Sequence, residues 1–166
     1  MSTEERRQQA MEQIGRAYQA QMRGELTEAI TLYTESLDLC PTPEAYTYRG
    51  WARSFLRDFE GAIADCQQAI DLDPEFGNPY NDIGAYCIEM GQVEDAIPWL
   101  RMALKAVRYE SYCYPHYNLG RVYEGMGRPG LALEHYRAAL AENPAYGPAQ
   151  RAVQRLEAGR PPHSGA

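Results

Sequence analysis

The feature that most constrains this chain is an internal period of 34–36 residues. Gly50, Gly84 and Gly120 are separated by 34 and 36 residues. The alanines that follow these glycines after twelve residues keep the same steps: Ala62, Ala96 and Ala132. Because several residues recur with the same spacing, the sequence predicts a stack of similar units rather than one compact globule with a single core.

The spacing of these residues resembles that of the tetratricopeptide repeat family, and the resemblance implies that each unit is two antiparallel helices, A and B. The two helices would cross where the glycine of one faces the alanine of the other. A large side chain at such a crossing costs about 1–3 kcal/mol. Gly24, Gly91 and Gly127 follow the predicted A helices, where a glycine can adopt the left-handed conformation that ends a helix.

The N-terminal unit is recognisable by its second half, which contains Ala29, Tyr33 and Pro41. In its first half, five residues at helical spacing predict the apolar face of a helix: Met11, Ile14, Gly15, Tyr18 and Met22. Gly15 precedes Ala29 by 14 residues instead of twelve. We therefore expect about half a turn of extra helix in this unit.

The recurring residues resemble the tetratricopeptide repeat family, whose pattern is a large residue, Leu-Gly, Tyr, Ala, an aromatic residue, Ala and Pro. The clearest matches are in the last unit: Leu119, Gly120, Tyr123, Ala132, Tyr136, Ala139 and Pro144. The resemblance covers about residues 8–144. It implies an all-α fold, a right-handed α-solenoid of four helix-turn-helix repeats with a C-terminal capping helix.

The resulting division has a frayed N-terminus, a repeat domain and a disordered tail. Its segments are 1–7 (frayed), 8–42, 43–76, 77–112 and 113–146 (repeats), 147–158 (capping helix) and 159–166 (tail). The third repeat departs from the pattern, because Arg108 replaces the closing proline and two residues are inserted near Tyr109–Tyr112. We expect a longer B helix there, with a bend at Pro98.

Composition and motifs exclude several classes of function. The net charge of -7 disfavours nucleic-acid binding. The longest stretch without a charged residue is Ser111–Gly120, which is too short to span a membrane. The N-terminus does not resemble a signal peptide, so we expect a cytoplasmic protein. The four cysteines match no zinc pattern and are expected to be reduced thiols. No catalytic motif is present, and we expect no enzyme activity, cofactor or metal.

In the tetratricopeptide family the A helices line a concave groove, and the resemblance implies which residues of this chain do so. The predicted peptide-binding groove contains Thr47, Tyr48, Trp51, Phe55, Asn78, Asn81, Asp82, Tyr114, Tyr117, Asn118, Arg121, Arg151 and Arg155. An asparagine amide can both donate to and accept from a peptide backbone. The aromatic side chains either form a binding surface in the groove or pack in the core, and the sequence leaves both possibilities open.

The expected function is a non-catalytic scaffold that binds a peptide or protein segment. The family's carboxylate clamp for chaperone tails needs lysine, arginine and asparagine at sites that here hold other residues, such as Trp51 and Asp82. We therefore expect no clamp. Acidic residues such as Glu44 and Asp82 at one end of the groove, and arginines at the other, would orient a ligand of opposite polarity. The alternative is a self-associating structural subunit that uses its convex face, its ends or the tyrosines of the 108–113 insertion.

Overall fold

A computed structural model describes residues 1–159 and contains nine α-helices in that range. They are α1 (Thr3–Met22), α2 (Leu26–Leu39), α3 (Pro43–Phe55), α4 (Phe59–Leu72), α5 (Asn78–Glu89), α6 (Ala96–Lys105), α7 (Cys113–Gly125), α8 (Pro129–Glu142) and α9 (Gly147–Ala158).

Each odd-numbered helix from α1 to α7 packs most extensively on the helix that follows it, and successive pairs stack in chain order. Short turns join the two helices of a pair, so the pair is an α-hairpin. The core therefore runs along the stack, as in other helical-repeat proteins. This arrangement confirms the predicted all-α solenoid. None of the helices within residues 1–159 is long and apolar enough to cross a lipid bilayer.

Glycine is required where the helices of the second and fourth pairs cross. A Cβ atom added at Gly50 would lie closer than 3.0 Å to the backbone oxygen of Ala62, and one added at Gly120 would meet the ring of Tyr136 at a similarly short distance. Real Cβ atoms are almost never found so close to another heavy atom. The predicted close crossing at these glycines is therefore present.

The first pair follows the same register with alanine in place of glycine. Ala17 is fully buried and precedes Ala29 by twelve residues, whereas nothing lies within 4 Å of a Cβ added at Gly15. Our assignment of Gly15 to the crossing was therefore wrong, and the extra half-turn is not needed. The assignment failed because the stripe that contains Gly15 is not the buried face of α1, and Met11 and Met22 on that stripe are exposed.

The turns inside three of the four pairs contain the expected left-handed glycines. The φ angles of Gly24, Gly91 and Gly127 are +79°, +78° and +70°. In the α3–α4 turn the corresponding residue is Arg57, with a φ of 60°. A left-handed conformation costs a residue with a Cβ roughly 1–2 kcal/mol.

Two predictions about the third helix pair, a longer B helix and a bend at Pro98, are wrong. Helix α6 is the shortest of those described, with 10 residues, and it begins only at Ala96. Pro98 has no N–H to donate to the carbonyl of Glu94, and the N–H of Ile97 donates to that oxygen instead, at 3.2 Å. The proline thus delays the start of the helix rather than bending it, and the inserted residues do not lengthen it.

The inserted residues form an irregular segment, residues 106–112, that packs back on the preceding turn. The N–H of Gly77 donates to the carbonyl of Arg108 at 3.2 Å, and the N–H of Arg108 donates to the carbonyl of Glu75 at 3.0 Å. Tyr109 is buried, and the hydroxyl of Tyr112 donates to the carbonyl of Ala106. These tyrosines are thus part of the structure's interior, and the idea that they form an exposed docking element is corrected.

The N-terminus also differs from expectation. Helix α1 begins at Thr3, because the Ser2 hydroxyl accepts from the N–H of Glu5 while the Glu5 carboxylate accepts from the N–H of Ser2. This capping box satisfies two otherwise unpaired groups of the first turn, so the predicted fraying over residues 1–7 is wrong. Of the predicted tail, residues 160–166 lie outside the described part of the chain.

Candidate functional site

The odd-numbered helices form one continuous layer. Contacts join α1 to α3, α3 to α5 and α5 to α7, whereas the even-numbered helices of the described part make no comparable contacts with one another. Helices on the inside of a curved stack are the closer together, so the odd-numbered helices line the concave side. We call this concave surface the groove.

Two neighbouring cavities open into the groove. One, of about 280 Å³, lies among α3, α5, the 106–112 segment and α7, and is lined by Thr47, Tyr48, Trp51, Asn78, Asn81, Asp82, Tyr109, Ser111 and Tyr114. The other, of about 480 Å³, is lined by Trp51, Ser54, Phe55, Arg57, Phe59, Asp82, Ala85, Tyr86 and Glu89. Trp51 and Asp82 line both cavities. We call the first of them the Asp82 pocket.

The Asp82 carboxyl group is half-buried where the two cavities meet. Within residues 1–159, no arginine or lysine nitrogen lies within 4.0 Å of it. Loss of hydration raises the pKa of Asp82 to about 7, opposed by a hydrogen bond from Asn81. A carboxyl group with this pKa changes charge near neutral pH and has no cation of its own.

The sequence left open whether the aromatic side chains line the groove or pack in the core, and the structure contains both kinds. Phe55 and Tyr114 are exposed, and Trp51, which lies 5.5 Å from Phe55 between ring centroids, is half-buried. Tyr48 is half-buried and stacks on the buried Tyr33. The groove thus has an aromatic wall on α3 and a second aromatic side chain on α7.

Tyr117 belongs to the packing between repeats instead. Its half-buried ring lies 5.5 Å from that of Tyr136 and 5.3 Å from that of Tyr146, and its place in the binding surface stays a prediction. Thr47 is also buried, and its hydroxyl donates to the carbonyl of Pro43 at 2.7 Å, although the residue still contributes to the pocket wall.

The asparagines are largely engaged with each other. Asn81 and Asn118 are buried, and the amide of Asn118 donates to the amide oxygen of Asn81 at 3.0 Å. The guanidinium group of Arg121 donates to Asn118 as well. The two amides thus join α5 to α7, while Asn81 also lines the Asp82 pocket, and their contact with a peptide backbone stays a prediction. Asn78 is exposed at the start of α5 and remains available.

Most of the charged groups predicted to orient a ligand form ion pairs within the protein. Arg121 pairs with Glu89 at 2.9 Å, and Arg155 pairs with Glu124. Glu44 pairs with Arg108 at 2.9 Å. The predicted gradient of free charge along the groove is therefore largely neutralised. Arg151 is exposed on α9, outside the residues that line the two cavities.

The corrected register of α1 identifies groove residues that the sequence analysis assigned to a buried face. Counting from Ala17, Tyr18 corresponds to Trp51 and Met22 corresponds to Phe55. Met11, Tyr18 and Met22 are exposed, and the ring of Tyr18 contacts that of Tyr48 edge-on at 6.0 Å. The twelve-residue step from Ala17 to Ala29 was the signal that could have revealed them.

The two histidines of the described residues, His116 and His135, lie elsewhere, inside the α7–α8 pair. The Nδ1 atoms of His116 and His135 are 3.5 Å apart, and burial lowers the pKa of both side chains. Over residues 1–159, no three His, Cys, Asp or Glu side chains are grouped so that they could hold a metal ion.

Family models described as tetratricopeptide repeat match three consecutive parts of the chain, residues 10–45, 43–76 and 75–141. Together they extend over most of the sequence, from the first helix pair to the end of α8.

Curated proteins that resemble the chain are much longer. Sperm-associated antigen 1 of Mus musculus is 38% identical over 60 residues, which are 36% of this chain and 7% of that protein. Small glutamine-rich tetratricopeptide repeat-containing protein 2 of Saccharomyces cerevisiae is 33% identical over 70 residues, which are 42% of this chain and 20% of that protein. The chain thus spans a fifth or less of the length of these relatives.

Solved structures resemble the chain over most of its length. The pilF protein of Pseudomonas aeruginosa superposes with a TM-score of 0.84 at 20% identity, covering 91% of this chain and 68% of that chain. YrrB, described as a tetratricopeptide repeat protein with an unusual peptide-binding site, gives a TM-score of 0.66 at 21% identity, covering 90% and 76%. At these identities the likeness shows a common fold.

Proposed function

The chain belongs to the tetratricopeptide repeat family, and we propose that it is a non-catalytic interaction protein whose groove binds an extended segment of a protein partner. The observation that carries this proposal is the placement of exposed apolar side chains. Five exposed large apolar side chains lie on odd-numbered helices, and two, Leu72 and Met102, lie on even-numbered ones. The five are Met11, Tyr18, Met22, Phe55 and Tyr114, and each is more than 40% exposed.

An apolar surface of this kind is what a partner's side chains can cover. Aromatic side chains lose little conformational entropy on binding and bury a large area, which is why they dominate the energetics of interfaces. The neighbouring cavities add concave sites for single side chains, and Asn78 supplies a free amide at the edge of the Asp82 pocket. A partner in extended conformation can use several of these sites along the stack.

The same residues argue against an anionic ligand of the chaperone-tail kind. A C-terminal carboxylate placed in the Asp82 pocket would lie beside another carboxyl group without a neighbouring cation, and like charges at an interface are costly. Arg121, an arginine predicted to line the same groove, is already paired with Glu89. We therefore propose that the groove does not bind chaperone C-terminal peptides.

Selection from a phage-displayed random peptide library against the immobilised protein tests the groove. The tightest selected peptide is synthesised, and its affinity is measured by fluorescence anisotropy for the wild type, Trp51→Ala and Met102→Ala. Met102 is the matched control, because it is an exposed apolar residue on α6, an even-numbered helix.

We expect Trp51→Ala to weaken binding at least about tenfold, or about 1.4 kcal/mol, with unchanged helical circular dichroism. Met102→Ala should bind as the wild type does. Equal affinity for Trp51→Ala, or a loss only in Met102→Ala, would contradict a groove site. Failure to select any peptide would also count against the proposal.

A further inference from the structure

The Asp82 pocket has a chemistry of its own within the groove. It is lined by Trp51 on α3, Asp82 on α5 and Tyr114 on α7, among other residues. We propose that the pocket binds the cationic side chain of a lysine or arginine in the partner segment, with Asp82 as the counter-ion and aromatic rings as the walls. This inference rests on the proposed groove function and specifies its ligand.

The walls suit an organic cation. Tyr48, Trp51, Tyr109 and Tyr114 all line the pocket, and the faces of aromatic rings attract ammonium and guanidinium groups. The aliphatic stem of a lysine or arginine packs on such rings while its charged end reaches further in. The volume of about 280 Å³ lies just below the range typical of small-molecule sites, about 300–1,000 Å³, and suits a single long side chain.

The charges around the pocket favour a cation over any other ligand. Three other carboxylates, on α3, α4 and α5, already have arginine partners: Glu44 with Arg108, Asp65 with Arg49 and Arg53, and Glu89 with Arg121. Asp82 alone among these has no such partner in the described residues. An incoming cation therefore meets an uncompensated carboxyl group and displaces no existing ion pair.

A metal ion is a poorer fit than a side-chain cation. Divalent ions prefer several oxygen ligands, and calcium takes six to eight. The remaining polar groups of the pocket are hydroxyls and amides, and the Asn81 amide oxygen already accepts from Asn118. One carboxylate with an aromatic surround matches a monovalent organic cation better.

The peptide selection described above tests this inference when it is carried out in parallel on the wild type and on Asp82→Asn. Asparagine has nearly the same shape as aspartate, so this variant removes the charge while preserving the packing. Asp71→Asn is the matched control, since it makes the same charge change at an exposed position on α4.

Peptides selected on the wild type and on Asp71→Asn should share a lysine or arginine at a fixed distance from an apolar residue, and those selected on Asp82→Asn should not. Replacing that basic residue by norleucine should lower the affinity for the wild type at least about tenfold. The same replacement should change the affinity for Asp82→Asn less than about twofold.

Three results overturn the inference. If the selected peptides lose binding in Trp51→Ala but carry no fixed basic residue, the groove function stands and the cation pocket does not exist. If the norleucine replacement weakens binding equally in the wild type and Asp82→Asn, the basic residue binds elsewhere. If no peptide is selected at all, both proposals fail together.

Discussion

The α3–α4 and α7–α8 pairs have the same backbone arrangement but different interiors. In α3–α4, Asp65 is buried between Arg49 and Arg53, with N–O distances of 2.7 and 2.9 Å. In α7–α8, the corresponding space holds stacked rings, with Tyr123 5.3 Å from His135. Gly50 and Gly120 set the same close crossing in both.

The difference shows which positions of the repeat require a particular residue and which positions accept several residue types. In these two pairs the crossing leaves no room for a side chain, because the opposing helix occupies that space. The positions beside the crossing need only fill a volume and satisfy their polar groups, and ion pairs and aromatic rings do so equally. The two interiors should therefore respond differently to substitution and to pH.

The largest effect is expected when the ion pairs of α3–α4 are broken. Asp65→Asn leaves Arg49 and Arg53 partly buried without a counter-charge, and breaking a buried pair in this way costs about 3–5 kcal/mol. Urea unfolding followed by circular dichroism measures the change. Asp71→Asn on the same helix is the control and should cost less than about 0.5 kcal/mol. A similar cost for both variants would show that the ion pairs contribute little.

The crossing itself should be disturbed more in α7–α8 than in α3–α4. An added methyl at Gly120 meets the ring of Tyr136, whose hydroxyl is hydrogen-bonded to Glu124, so the ring has little freedom to move. We expect Gly120→Ala to cost about 2–3 kcal/mol and Gly50→Ala about 1–2 kcal/mol in thermal unfolding.

Gly15→Ala is the matched control for this pair of substitutions. Gly15 lies inside α1 with open space around it, so alanine should stabilise the protein by about 0.5–1 kcal/mol. Destabilisation by this substitution would mean that Gly15, and not Ala17, lies at the first crossing.

Acidic pH should destabilise α7–α8 specifically. Burial lowers the pKa of His116 and His135, so the unfolded chain binds protons at a higher pH than the folded chain does. Stability from these groups is complete above their ordinary pKa and is lost as the pH falls from there through the lowered pKa of the folded state. Asp82 acts oppositely, because its raised pKa costs stability as the pH rises from about 4 to about 7.

The two contributions are separated by comparing variants. Unfolding free energies of the wild type, His116→Gln/His135→Gln and Asp82→Asn are measured at pH 7.5 and pH 5.5. On acidification the histidine variant should lose less stability than the wild type, and Asp82→Asn should lose more. The same loss in all three proteins would show that neither site governs the pH dependence.

The smallest effect is expected at the turn of α3–α4. Arg57 has a φ of 60°, where the α7–α8 turn has Gly127. Relief of the left-handed backbone strain in Arg57→Gly should stabilise the protein by about 1 kcal/mol. Loss of the contact between the Arg57 guanidinium group and the ring of Phe59 should offset part of this gain. An increase in melting temperature of a few degrees is the expected measurement. A decrease would show that the ring contact outweighs the strain.

The sequence predicted well what the repeat backbone requires. Gly50 and Gly120 at the crossings, and the left-handed Gly24, Gly91 and Gly127, follow from steric rules that hold whatever surrounds them. The all-α solenoid and the place of α3 in the groove follow from these residues.

The sequence predicted less well where a residue has several possible partners. Asn81 and Asn118 were expected to meet a ligand, but they are close enough to bond with each other. Glu44 is paired with an arginine 64 residues away in the sequence. Such pairings depend on the stacking of separate units, which local spacing does not reveal.

Arg108 connects parts of the chain that a simple stack would leave independent. It donates to Glu44 on α3 and to Asp73 after α4, and its guanidinium group lies 4.2 Å from the ring centre of Phe76. In a linear array each unit can open with only its neighbours affected. Arg108 instead links the start of the second helix pair to the end of the third. We therefore expect the amide hydrogens of these two pairs to lose their protection from exchange together, and those of the α7–α8 pair to exchange at an independent rate.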